Sequence, residues 1–259
     1  MEQLVTFERD GAIGTITVCR PDVLNALNAT VLDQLRSAIM QLSSDPDIRV
    51  LQLTGQGQRA FVAGADISEF VGATPADALR IADRIKLVTD ALVGCPKPVV
   101  AVIGGYCLGG GFELALACDI RIASTSAQFG LPEIKLGILP GGGGTVRLTK
   151  IAGSSVARTL TMIGEPIAAS RAFDLGLLVS VHPPEELADA ARKLALKLAD
   201  RPPFALAQLK SSLNIAIDID TASACQTEIK AFALCYSTAD KEEGANAFLE
   251  KRKPRFTGV

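Results

Sequence analysis

Apolar and polar positions follow two different periods along this chain. LVTFERDGAIGTITV reads as two strands folded around an Asp10-Gly11 turn, with Ile16 and Val18 alternating with Thr15 and Thr17 as in a half-buried strand. RPDVLNALN breaks that pattern. ATVLDQLRSAIMQLSSD then places Val31, Leu32, Leu35, Ile39 and Leu42 at helical spacing. IRVLQLTG returns to strand, apolar at Val50, Leu51 and Leu53. GQGQRAFVAGADI reads as a loop, and a helix is predicted over 75–93. KPVVAVIGG is a short, nearly all-apolar strand of the kind buried on both faces. YCLGGGFELALACD reads as a turn and a helix, and DIRIAS as a further strand. FGLPEIKLGILP and PGGGGTVRL follow.

Strand and helix thus alternate to about residue 180, which predicts an α/β core with parallel pairing. After Val181 the strand pattern stops. EELADAARKLALKLAD, FALAQLKSSLNIAI, TASACQTEIKAFALCYS and DKEEGANAFLEKRK all read as helices, the first two separated by Pro202-Pro203. The division predicted is a core over 1–199 and an all-helical region over 200–259.

Composition narrows the function classes. The chain has 259 residues and a net charge of -2, with both signs interspersed, which argues against a nucleic-acid surface. Its most apolar window, 98–117, is interrupted by glycines and Glu113 and is not expected to cross a membrane. MEQLVTFERDGAIG carries no basic-then-apolar signal segment. The six cysteines form no C-x-x-C and lie mostly in apolar stretches, as expected of reduced thiols in a cytoplasmic protein. A single histidine, His182, sits in VHPPEEL at a strand end beside two prolines. A Ser-His-Asp hydrolase or a histidine-based metal site would rest on that residue alone, so both classes fall away.

GQGQRA matches a dinucleotide fingerprint only weakly, because FVAGAD does not open a helix after it. No P-loop motif is present. Gly109, Gly110 and Gly111 are more informative: they precede FELALA, a good helix former. Glycine there allows close backbone approach, and free N–H groups at a helix start favour a negative oxygen. Gly110 and Glu113 then form an i, i+3 pair on one face. Glu113 is a carboxylate inside an apolar segment, where an unpartnered charge costs several kcal/mol or a raised pKa. Glu133 is a second carboxylate in an apolar setting, before a glycine-rich turn. Two carboxylates near an oxyanion site suggest general acid–base work on a polarised carbonyl. FVAGADI offers a small-residue loop for a second backbone donor.

Taken together, RPDVLNALN, AFVAGADISEF, KPVVAVIGGYCLGGGFELALACDIRIAS, FGLPEIKLGILPGGGGTVRL and AFLEKRKPRF resemble the crotonase (enoyl-CoA hydratase/isomerase) superfamily over nearly the whole chain. The resemblance implies a spiral of ββα units whose helical C-terminal part serves a homotrimer or homohexamer. It implies an acyl-CoA thioester as substrate, with coenzyme A part of that substrate and no metal or redox cofactor. Carried over by motif position, Ala63 and Gly110 would donate N–H groups to the thioester oxygen. Ala65, Asp66 and Ile67 would lie along the CoA, with Gly109, Pro132 and Gly141 also lining the substrate site. Glu113 and Glu133 match the two acidic positions of hydratases: Glu113 would activate water for attack at C3, and Glu133 would deliver a proton to C2.

Some positions depart from the family pattern. Val146 stands where glutamine is frequent, and Ser68 where a lysine often assists CoA phosphate contacts. Leu131 and Ile138 replace more polar residues and predict a more apolar acyl site. Lys251, Arg252 and Lys253, read as the end of the last helix, are alternative CoA-phosphate partners or a solvated basic end. Isomerisation, a specialised dehydration, retro-aldol cleavage and thioester hydrolysis stay open beside hydration, as does a non-catalytic, RNA-binding homologue. Both glutamates favour hydration, and the lack of a basic patch argues against RNA.

Overall fold

A computed structural model describes residues 2–259. The hairpin pairs β1 (Val5–Asp10) antiparallel with β2 (Ile13–Val18). Helix α1 (Ala29–Ser44) starts where Asn28 accepts a hydrogen bond from Val31 N at 2.9 Å. Then come β3 (Val50–Gly55), β4 (Ala60–Val62) and α2 (Pro75–Gly94), the helix opened by a Thr74–Asp77 capping box. Next are β5 (Val99–Ile103), β6 (Tyr106–Leu108) and α3 (Gly110–Ala117), then β7 (Ile120–Ser124), β8 (Gln128–Gly130) and α4 (Gly144–Ile163). The core closes with β9 (Ile167–Ala168), α5 (Ala169–Asp174), β10 (Ser180–His182) and α6 (Leu187–Ala199). Three more helices follow: α7 (Pro203–Ala216), α8 (Thr221–Cys235) and α9 (Ala239–Leu249).

The chain deals its strands alternately onto two sheets. The larger has the order β1-β2-β3-β5-β7-β10 and is parallel from β2 onward. The smaller has the order β4-β6-β8-β9, parallel except for β9. Two strands and a helix therefore repeat as a spiral, the architecture the family resemblance implies.

The pattern of β5 explains the layering. All five residues of VVAVI are buried. Val100 and Val102 join Ile13, Val50 and Ile122 beneath Leu187, Ala191 and Ala195 of α6. Ala101 and Ile103 face the other way, into the core with Leu51, Leu53 and α1 to α3. Each buried Leu or Val contributes about 1.5–3 kcal/mol.

Two expectations change. AFV and YCL, read as loop and turn, are β4 and β6, and the smaller sheet as a whole escapes the pattern. Its strands are two or three residues long, too short to show a period. Lys251, Arg252 and Lys253 lie beyond the last helix, since α9 ends at Leu249 and Lys251 takes a positive φ of 56°.

Helices α7 and α8 contain no buried residue. Lys210 ties α7 to the core, donating to Leu92 O at 2.9 Å and to Asp119 Oδ2 at 2.8 Å. All six cysteines are unpaired; Cys95, Cys107 and Cys118 are buried. No helix among the described residues is long and apolar enough to cross a membrane.

Candidate active site

Three candidate segments leave the smaller sheet at the carboxyl ends of its three parallel strands. Ala63 to Ile67 follow β4, Gly109 to Glu113 follow β6, and Glu133 follows β8. Crevices outside strand carboxyl ends are where open α/β sheets place ligands.

After β6 the backbone turns at Gly109, with φ 51° and ψ -127°, and its N–H donates to Gly130 O at 2.9 Å on β8. Helix α3 starts at the next residue. It lies directly on β4: a Cβ at Gly111 would overlap the Val62 carbonyl. Every residue of α3 is buried, and Glu113 is 1% exposed.

That carboxylate is held by the glycine-rich turn. Gly142 N and Gly144 N both donate to Glu113 Oε1 at 2.8 Å. A Cβ at Gly144 would sit 3.0 Å from that oxygen and 3.1 Å from Leu131 Cδ1, so only glycine leaves the room. Glu113 thereby receives the N-terminus of α4, where free N–H groups and the helix dipole favour an anion. Oε2 has no protein donor among the described residues. Burial pushes the Glu113 acid above the usual carboxylate range; the Gly144 and Gly142 N–H groups and then the Arg147 charge pull it back.

Glu133 sits in a 3-10 turn, Pro132–Leu136, opened by Pro132. Its Oε2 is buried with no hydrogen-bond partner among the described residues. Its Oε1 lies 3.1 Å from where a Gly109 Cβ would stand, while Glu113 N donates to Gly109 O at 3.0 Å. The Glu113 carboxylate is turned to Gly142 and Gly144 and that of Glu133 to Gly109, close enough for the Glu113 charge to act on Glu133. Burial, and then the Glu113 charge, push the Glu133 acid up to about 7. One carboxylate solvated by N–H groups beside one that is not is an arrangement that separates two acids while they titrate as a coupled unit, the kind of pair that acid–base chemistry can use.

The oxyanion assignment needs correction. Ala63 cannot serve, because its N–H donates to Leu24 O at 3.1 Å. The RPDVLNALN turn also fixes the rest of the loop: Leu27 N donates to Gly64 O at 2.9 Å, and Asp66 N to Leu27 O at 2.7 Å. Ala65 N–H is left with no acceptor among the described residues. It lies 4.0 Å from the position of a Gly110 Cβ, and Gly110 N–H, first in its helix, has no intrahelical partner. The available pair is Ala65 and Gly110. Small residues at 63, 64 and 65 gave no means of choosing among them from sequence.

Asn25 secures the turn. Fully buried at φ 58°, it donates from Nδ2 to Ala60 O at 2.8 Å and Gln56 O at 3.1 Å, and accepts from Arg20 N at 2.9 Å. The Asp66 carboxylate is occupied by Ser68 Oγ at 2.7 Å and Arg20 Nη2 at 3.0 Å, which hold it below the usual range. Ile67 is exposed. Gly141, expected in the substrate site, is exposed and does not touch Glu113; its neighbours Gly142 and Gly144 do, and the four-glycine run is their only signal in the sequence.

Leu131 is buried, whereas Ile138, Leu139 and Val146 are exposed apolar side chains of the surrounding segments. Arg252 is paired with Glu243 and Glu250, and Lys253 with Asp200. His182 bonds Ser180 Oγ at 2.8 Å. Among the described residues no group of His, Cys, Asp and Glu is placed to hold a metal ion.

Comparison with known proteins agrees with this geometry. The family model described as enoyl-CoA hydratase/isomerase matches residues 8–259. A short-chain-enoyl-CoA hydratase of Clostridium acetobutylicum is 40% identical over 251 residues, 96% of this chain and 95% of that one. A crotonyl-CoA hydratase of Syntrophomonas wolfei is 37% identical, covering 97% of each. The crystal structure of an enoyl-CoA hydratase from Bacillus anthracis superposes with a TM-score of 0.96 at 35% identity, over 99% of this chain and 100% of that one. With its spiral fold, its paired glutamates and these relatives along nearly its full length, this chain belongs to the enoyl-CoA hydratase/isomerase family.

Proposed function

We propose that the protein is an enoyl-CoA hydratase that adds water syn across the 2,3 double bond of a 2-enoyl-CoA, giving a 3-hydroxyacyl-CoA. The observation that carries this is a pair of buried, electrostatically coupled glutamates, Glu113 held at Gly142 and Gly144 and Glu133 beside Gly109, with the open N–H groups of Ala65 and Gly110 next to them. The thioester oxygen is read as accepting from those two N–H groups, each worth about 3 kcal/mol to the enolate-like transition state. Glu113 takes a proton from water held between the carboxylates, and the water oxygen bonds to C3. The double-bond electrons move onto the thioester oxygen. As they return, C2 takes the proton from Glu133. A proton passing from Glu113 to Glu133 restores the starting state.

Water addition is redox-neutral, so this reading calls for no redox cofactor, and the N–H groups of Ala65 and Gly110 supply the carbonyl polarisation for which a metal would otherwise be needed, with coenzyme A carried by the substrate. The names of the Clostridium and Syntrophomonas relatives support a short acyl chain; the setting we propose is the cytoplasm. Leu209 and Leu213 on α7, Ile217 at its end, and Ile229 and Phe232 on α8 lie exposed, which supports a homotrimer or homohexamer formed through the C-terminal helices. Light scattering on the purified protein tests that assembly.

The chemistry is tested with crotonyl-CoA, following loss of the conjugated thioester and weighing the product. Gain of one water with CoA retained, abolished by Glu113→Gln and by Glu133→Gln, is expected. A shifted double bond without mass gain, free CoA, or full hydration by Glu113→Gln would overturn the assignment.

A further inference from the structure

Arg147 has no carboxylate within ion-pair distance among the described residues, although it lies on the first turn of α4 and is half-buried. Its Nη1 donates to Gly142 O at 2.7 Å. That carbonyl stands between Gly142 N and Gly144 N, the two donors to Glu113 Oε1. The guanidinium lies so close over the turn that a Cβ at Gly143 would run into Nη1. Gly143 holds φ 96°, so the turn is a left-handed conformation with little intrinsic preference for this shape in a flexible glycine run.

We propose that Arg147 is a positioning residue for the general base: it clamps the Gly142 carbonyl so that both N–H groups converge on Oε1 and Oε2 is left for water. This rests on Glu113 being the base. Four glycines in sequence carry a large conformational entropy, and a single anchored carbonyl removes much of it. The charge acts through the Gly142 peptide in a low-dielectric setting, where an unpaired cation has reach. Other charged and titratable groups around the two are Glu133 from the 3-10 turn, Asp90 from α2 and Cys118 at the end of α3. Asp90 is itself paired with Lys86. Glu133 works against ionisation of Glu113, and only Arg147 among these favours it.

The sign follows. A base must be ionised, so activity falls as pH drops through the Glu113 pKa. Removing the cation raises that pKa, and the acid limb moves to higher pH. The test is the pH profile of kcat/KM for crotonyl-CoA hydration by wild type, R147K, R147Q and E113Q. R147Q is expected to lose about tenfold to a hundredfold in kcat with KM within about twofold, and to move the acid limb up by about one pH unit. R147K keeps the charge and loses the planar fork. Its acid limb should stay near wild type while kcat falls by an intermediate factor. A merely structural arginine would lower the yield of folded enzyme and leave the limb in place. If R147Q folds with its acid limb unmoved, the proposal is wrong. If R147Q does not fold, R147K decides: a lower kcat at unchanged KM supports the clamp, and unchanged kcat overturns it. Full activity in E113Q would instead remove the base assignment itself, which is a separate failure.

Discussion

The six-stranded and four-stranded sheets are laid down by the same repeat, and they are held together in different ways. In the large sheet, β5 sends alternate side chains into two apolar clusters, so stability is spread over many buried Val, Leu and Ile residues. In the small sheet the strands are two or three residues long, and contact is close because side chains are missing. Gly111 lets α3 lie on the Val62 carbonyl, and Gly109 leaves room for Glu133. Side-chain packing tolerates some loss because neighbours relax. Backbone-to-backbone contact does not, which suits a sheet whose strand ends have to place N–H groups and carboxylates accurately.

The sharpest way to break that comparison is to change one atom at the small sheet. Glu113→Gln keeps shape and hydrogen-bonding surface but removes the base, and kcat for crotonyl-CoA should fall by about 10³-fold, roughly 4 kcal/mol. Chemical denaturation of the same variant should show a fold at least as stable as wild type. Retention of even a tenth of the rate would move the base elsewhere.

Legibility in the sequence divides along the same line. The strands β2, β3, β5 and β7 and the helices α1 and α2 show their periods, because a long element with one buried face or two must repeat its apolar positions. The small sheet has no length over which to repeat. Glu113 was visible without any period, since a carboxylate inside FELALA is costly unless partnered. Its partners were less so: which glycines of the run donate depends on how α4 begins. Ala65 could not be told from Ala63, because what occupies Ala63 N–H is Leu24, far away in sequence. Backbone hydrogen bonds between distant turns leave no mark on side-chain pattern.

A complementary change in the large sheet should do the reverse. Leu53 is buried in β3, and Leu53→Ala should cost about 2–5 kcal/mol of stability through lost transfer energy and a cavity. Below its lowered melting point, kcat per folded molecule should stay within about twofold of wild type: the cluster of Leu53 extends to Phe112, Leu114 and Leu131, but the Glu113 carboxylate itself is held by the N–H groups of Gly142 and Gly144. Urea denaturation beside an activity assay separates the two effects. A tenfold loss of kcat at full folding would show that the large sheet transmits strain to the site, and the division of labour would fail.

The smallest expected effect concerns Glu133, where function and stability oppose each other. An acid at about 7 in the fold compares with about 4.3 in an unfolded chain. A raised folded pKa gives a stabilising contribution that is complete below the unfolded value and is lost as pH rises through the folded one. The wild type should therefore weaken between pH 5 and pH 8 as an oxygen with no donor takes on charge beside Glu113. Glu133→Gln carries no charge to desolvate and escapes that loss. Its melting temperature relative to wild type should rise from pH 5 to pH 8 by about 2–4 °C, a modest shift because Glu133 is only partly buried and solvent screens it. The same variant should lose hydration activity at both pH values, since no proton is left to deliver to C2. A melting-temperature difference that stays constant across this range would mean that Glu133 is as well solvated in the fold as in water. It would then have no reason to hold its proton near neutrality, and the acid would have to be sought elsewhere. A widening difference with lost activity would identify Glu133 as a group kept at some cost to stability for the sake of its proton.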